Sequence, residues 1–306
     1  MKNLIKLILE FSKGLKNQKI ETTRIFPSRN QFQSYFEKSV DKKIKNLKID
    51  KNFLTIGSCF SVRIANYAFK KNNEFIYEKN SFNFLANWGR VYTIANLNEI
   101  VEYTLDNNKK IHIEKQKDFF FDPLREDSIS LSDNENKCYQ NIINHREFSK
   151  EAFKNASTIL LILGLNEVWY DKEKKIYWGT KPSNDILLKH ENRFEVINLN
   201  YKYNLETLEK LINNLKNFNN KLNIILSLGP VPQEAVYSSS NILEAFFYNK
   251  SVLRAVINEL VEKNKNYLSY FPLFEYLYFN NPLILKSDNR HINDIYIEKA
   301  LKLLDN

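Results

Sequence analysis

Two side chains capable of nucleophilic attack stand side by side in Gly57-Ser58-Cys59-Phe60-Ser61, directly after the apolar run Phe53-Leu-Thr-Ile56 and directly before an apolar-periodic stretch. That order reads as a strand handing over to a helix. In open α/β sheets ligands bind outside the carboxyl ends of the strands, and a helix N-terminus offers free amide N–H groups and partial positive charge to an anion. A thiol placed there, beside a histidine, is expected to have a lowered pKa. The bland alternative is a turn in which Ser58 caps the helix and Cys59 is a small buried residue. Near the other end of the chain, Ser287-Asp288-Asn289-Arg290-His291 sets a carboxylate three residues ahead of an imidazole. An aspartate in that position can orient and charge-stabilise a general-base histidine. Taken singly, His291 is equally a helix-flanking residue and Asp288 a turn former. His112, His145 and His190 have no comparable neighbourhood and read as surface or structural residues.

Something must bring those two segments together. Residues 53–56, 157–163 and 222–228 are β-rich and near-continuously apolar, as strands covered on both faces are, with weaker candidates at 75–77 and 267–271. Helical patterns run over 62–71, 94–105, 146–155, 205–218, 242–264 and 294–304. Alternating strand and helix predicts βαβ units, hence an α/β fold: a three-layer α/β/α sandwich on a mainly parallel five-stranded sheet. Residues 1–50 read as a partly helical N-terminal extension, and 51–306 as the functional domain with insertions near 107–144 and 170–200. Loops at strand ends commonly carry binding residues. Aromatic groups in these insertions, Phe119-Phe-Phe121, Trp169-Tyr170 and Tyr177-Trp178, are either core or a wall for stacking a sugar or an acyl group.

Composition narrows the classes. With 306 residues, 43% of them hydrophobic, the chain is long enough for a full core. The net charge of +9 comes from lysines scattered along the sequence, which favours a solvated basic surface over a nucleic-acid footprint. No glycine-rich phosphate loop is visible, and no nucleic-acid partner is expected. Two cysteines, Cys59 and Cys138, have neither metal-type spacing nor a disulfide framework, so no metal or cofactor is called for and a reducing, cytoplasmic setting is expected. The first ten residues read as a short amphipathic helix rather than a signal peptide, either packing on the domain or making weak membrane-surface or partner contact.

The glycine-led nucleophile junction, the lone Gly89 in the next block, Gly164-Leu165-Asn166 after a middle strand and Asp288-x-x-His291 near the end together resemble the SGNH (GDSL-like) hydrolase superfamily. In more detail they resemble the GSCFA family, named for its Gly-Ser-Cys-Phe-Ala run. The similarity extends through Asn87-Trp-Gly-Arg-Val-Tyr-Thr93, Asp122-Pro-Leu-Arg125, Gly229-Pro-Val-Pro232, Lys250-Ser-Val-Leu-Arg-Ala255, Tyr270-Phe-Pro272 and Arg290-His291. The chain departs from the family pattern at Ser61, where the motif has Ala. It departs again at Arg90, where relatives often carry Asn, and at Asn166, where they often carry Thr.

The resemblance implies acyl transfer through a covalent intermediate. Aligning the first motif by its glycine puts Cys59 at the superfamily's nucleophile position, with Ser58 one residue away. His291 then serves as base and Asp288 as its orienter. The backbone of Gly89 and the side chain of Asn166 serve the oxyanion. Arg90, Glu167 and Trp169 are candidate substrate contacts. An acyl-ester hydrolase or O-acyltransferase is expected, acting on a glycan or other polyol ester, with a thioester as a possible acyl donor. The alternative is a non-catalytic module holding a glycan or a membrane surface on the same fold.

Overall fold

Successive residues of three parallel strands point into two different hydrophobic cores. The computed structural model describes residues 28–40, 44, 52–71, 87–238, 241–280 and 285–302. Strands β1 (Phe53–Gly57), β4 (Thr158–Leu163) and β8 (Asn223–Leu228) are joined by β9 (Leu268–Tyr270) in a parallel sheet of order β1-β4-β8-β9. Ile159, Leu161, Leu163, Leu226 and Leu228 belong to one cluster, whereas Leu160, Ile162 and Ile225 belong to the other. A strand buried on both faces has no polar alternate positions, which is why Thr158-Ile-Leu-Leu-Ile-Leu163 reads as an unbroken apolar run.

Helices cover both faces. The first cluster is closed by α3 (Ile94–Leu105), α5 (Glu135–Asn155), α7 (Tyr201–Phe218) and α8 (Ile242–Lys263). The second is closed by α1 (Phe32–Ser39), α2 (Cys59–Lys71), α9 (Leu273–Asn280) and α10 (Asp294–Leu301). The layered α/β arrangement is therefore as expected, but among the described residues the central sheet has four strands rather than five. The expected strand at 75–77 and the amphipathic segment at 1–10 lie outside the described residues. Within the N-terminal extension, α1 packs Phe36 against Tyr276 with ring centroids 4.2 Å apart.

The two insertions form small structures of their own. The first holds a hairpin of β2 (Glu114–Gln116) and β3 (Phe119–Phe121), the short α4 (Asp127–Ser130) and the opening turns of α5. The second is an antiparallel sheet of order β6-β5-β7, made of β5 (Glu167–Asp171), β6 (Ile176–Tyr177) and β7 (Phe194–Asn198), with α6 (Asn184–Lys189) between its last two strands. Buried Arg193 ties the insertions together, donating to Glu114 Oε1 at 3.2 Å and to Asp171 Oδ2 at 2.6 Å. Asp171 Oδ2 also accepts from the Trp178 indole at 3.3 Å, which fixes that ring. Burial pushes both carboxyls up, yet hydrogen bonds from Arg193 and Lys174 outweigh it and hold Glu114 and Asp171 below the usual carboxylate range.

Glycine sets the geometry where the sheet ends. Gly57 closes β1 with φ +145°, and a Cβ there would stand 2.1 Å from the Ile162 carbonyl oxygen of the neighbouring strand. No side chain fits. The tight approach lets the Ser58 amide donate to Ile162 O at 3.0 Å and the Val91 amide donate to Gly57 O at 2.7 Å. Gly57→Ala is expected to cost at least about 3 kcal/mol in urea unfolding. Ser61→Ala, which removes one hydrogen bond from Ser61 Oγ to Ser58 O, should cost only about 1 kcal/mol.

Candidate active site

The carboxyl ends of β1, β4 and β8 lie next to one another, and each is followed by or ends in a glycine: Gly57, Gly164 and Gly229. These glycines make room for Ser58. A Cβ on Gly229 would come within 2.7 Å of Ser58 Oγ, and one on Gly164 within 3.4 Å of Ser58 Cβ. Ser58 is consequently buried between them, its hydroxyl without a hydrogen-bond partner among the described residues and not capping α2. Cys59, the first residue of α2, is half-buried and opens onto a cavity of about 470 Å³. Its amide belongs to the first turn of a helix and has no carbonyl of that helix to bond.

His291 lines the same cavity. The turn that carries it is pinned by a bridge between Leu285 and Ile292 and by a 2.7 Å bond from the Lys286 amide to His291 O. Within it Asp288 Oδ1 accepts from the amides of Arg290 and His291 at 3.0 and 2.9 Å, while Oδ2 lies 2.5 Å from His291 Nδ1. The imidazole bond, then the two amides, hold the exposed Asp288 carboxyl far below the usual range. With Nδ1 engaged, Nε2 is the nitrogen left to exchange a proton. Asp294 anchors this turn to α2, taking Arg63 Nη1 at 3.0 Å and Lys286 Nζ at 2.9 Å.

The remaining sequence-derived candidates take different places. Gly89, at φ +67°, lines a second cavity that also reaches Cys59. Arg90 lines both cavities, its guanidinium paired with Glu126 and its amide donating to Glu126 Oε2 at 2.8 Å. Asn166 is fully buried behind the wall that Gly164 and Leu165 form. Its Oδ1 accepts from Asn204 at 3.3 Å, its backbone N–H donates to Asn249 Oδ1 at 3.1 Å, and Nδ2 has no partner among the described residues. Glu167 lines the first cavity with its carboxylate already engaged, by the Tyr237 amide at 3.1 Å and by Ser238 Oγ at 2.5 Å. It fastens the 231–238 loop over the cavity. Trp169 stacks edge-on against Tyr237 with centroids 5.4 Å apart. Trp169 and Trp178 both line the cavity, Trp169 half-buried and Trp178 as a buried member of the core cluster that also holds Phe121.

The thiol differs from expectation. Burial pushes the Cys59 pKa up, and the opposing charges of Arg63, Arg90, Arg290 and Lys250 only partly offset that. The neutral thiol is therefore the resting form, and a thiolate requires a base to take its proton.

Lys250 and Gln233 were not singled out from sequence as site residues. Lys250 Nζ donates to Gly164 O at 2.9 Å, and burial lowers its pKa to about 7. It occupies the buried stripe of α8 with Phe246, Asn249, Leu253, Val256, Ile257 and Leu260. A lysine on an apolar helical face is the signal that finds it. Gln233, nine-tenths buried, lines the cavity with both side-chain amide atoms unpartnered among the described residues.

Fold and site together define the class: an α/β protein whose thiol, imidazole and carboxylate converge at the carboxyl edge of a parallel sheet. Residues 52–303 match the family model described as the GSCFA family, and the chain belongs to that family. No curated protein and no solved structure matches it. Among the described residues no helix is long and apolar enough to cross a membrane, and no cluster of three or more His, Cys, Asp or Glu side chains is placed to hold a metal ion.

Unfolded, Lys250 titrates at its ordinary 10.5; folded, it does so at about 7. Between those values the unfolded chain holds a proton that the folded state lacks, so the stability this group contributes rises with pH across that window. Wild-type stability measured relative to Lys250→Met should accordingly increase from pH 7 to about pH 10. A pH-independent difference would mean that the buried amine stays charged.

Proposed function

We propose that this chain is an acyl-transfer enzyme of the SGNH kind, in which Cys59 attacks an acyl carbonyl, His291 accepts the thiol proton and Asp288 holds the imidazole in the required tautomer. The observation that carries this reading is the 2.5 Å contact between His291 Nδ1 and Asp288 Oδ2 on a turn whose imidazole shares a cavity with Cys59. Both Ser58 and Cys59 line the cavity; Cys59 is favoured because it is half-buried, while the Ser58 hydroxyl is buried against Gly164 and Gly229. The raised thiol pKa fits a base-assisted attack.

In the tetrahedral intermediate the oxyanion is met by the Cys59 amide and the Gly89 backbone; Asn166 is fully buried and lines neither cavity, so it is not assigned as a donor. Losing one such donor typically costs about 3 kcal/mol of transition-state stabilisation. Arg63, Arg90, Arg290 and Lys250 add a positive field at the reacting sulfur. The substrate class, an ester of a glycan or polyol with a thioester as a possible donor, follows from the superfamily resemblance and from the indole walls of the cavity.

A chromogenic butyryl ester tests the reading. Cys59→Ala should abolish turnover and His291→Ala should lower kcat by about a hundredfold or more, whereas Ser58→Ala should retain most activity. Full activity in Cys59→Ala with loss in Ser58→Ala would transfer the nucleophile to the hydroxyl. If wild type does not exceed His291→Ala, the enzymatic reading fails.

A further inference from the structure

Cys59 and Arg90 are shared by the walls of two cavities, one of about 470 Å³ and the other of about 450 Å³. Each falls within the size range of small-molecule sites. Their walls differ in chemistry. His291 lines only the first, together with the indoles of Trp169 and Trp178 and the unpartnered amide of Gln233. The second sets the apolar Val62, Ala65, Trp88 and Ile129 beside the polar Ser61, Asn66 and Asn87. Its arginines are matched by carboxylates, Arg63 with Asp294 at 3.0 Å and Arg90 with Glu126.

This difference has a direction in acyl transfer, and the argument rests on Cys59 being the acylated residue. In the first half-reaction the S–C bond forms, the bond from carbonyl carbon to leaving group breaks, and the proton taken from the thiol passes through His291 to the leaving group. In the second, His291 takes the proton of an acceptor hydroxyl, the new O–C bond forms, and the C–S bond breaks to return the sulfur with its proton. Leaving group and acceptor must therefore both stand on the side of His291. We propose that the second cavity is the acyl pocket, sized for a chain longer than acetyl. The first takes the leaving group and then a polyhydroxylated acceptor, whose hydroxyls pair with Gln233 and whose ring face stacks on the half-buried Trp169. Apolar side chains beside matched charges suit a neutral acyl chain. An unpaired buried amide suits a hydroxylated ligand, because such a site rejects compounds that leave it unpaired.

The test uses the full chain and p-nitrophenyl acetate and hexanoate, following p-nitrophenolate release and, by intact mass, decay of the acyl-enzyme with and without glucose. Wild type should acylate faster from hexanoate than from acetate, and its acyl-enzyme should decay faster with glucose. Val62→Phe and Ala65→Phe should lower the hexanoyl-to-acetyl ratio about tenfold, and Gln233→Leu should lower the ratio of transfer over hydrolysis about tenfold. Val62 is 37% exposed, so its replacement keeps the test valid should Ala65→Phe fail to fold. An adduct on Cys59 whose two ratios stay within twofold of wild type in all three variants, or respond with the sides exchanged, overturns the division of the cavities alone. Absence of any adduct overturns both this division and the nucleophile assignment.

Discussion

The site depends on how closely backbone can approach backbone at the carboxyl edge of the sheet. Gly57 leaves 2.1 Å between a would-be Cβ and the Ile162 carbonyl, so β1 can turn into α2 while still bonded to β4. Gly164 and Gly229 extend the same constraint across the next two strands and leave a slot for Ser58. Because Ser58 fills that slot, the following residue, at the helix N-terminus, turns toward the cavity. The placement of Cys59 is thus a consequence of three missing side chains.

Electrostatics at the edge follow from burial. Lys250 reaches Gly164 O from the core face of α8, and its lowered pKa is the cost of holding an amine there. Four cationic side chains surround Cys59, but burial still favours the neutral thiol. In the proposed reaction the thiol relies on His291, whose orientation comes from Asp288 and whose turn is tied to α2 by the paired Arg63, Lys286 and Asp294. Cys59 and His291 are held by a strand end and a distant turn joined through one carboxylate.

Much of this was legible in the sequence because its signals are local. The runs at 157–163 and 222–228 announce doubly covered strands, the helix at 94–105 has the expected bounds, and Asp288-x-x-His291 declares its pairing by spacing. What stayed hidden depends on long-range placement. Glu167 looked like a substrate contact, yet its carboxylate fastens a loop 70 residues away. The thiol pKa could not be read from a helix terminus alone, since desolvation by the surrounding fold sets its direction. Lys250 was visible only as an anomaly in an apolar stripe, and the second cavity has no sequence signature.

The central claim is that sulfur at position 59 carries the acyl group. Intact-protein mass spectrometry after exposure to an activated acyl donor, followed by peptide mapping and a hydroxylamine challenge at neutral pH, addresses it directly. A single adduct on the peptide containing Cys59, released by hydroxylamine as a thioester is and absent in Cys59→Ala, is the predicted result. A stable oxygen ester on Ser58, or no adduct at all, would contradict it.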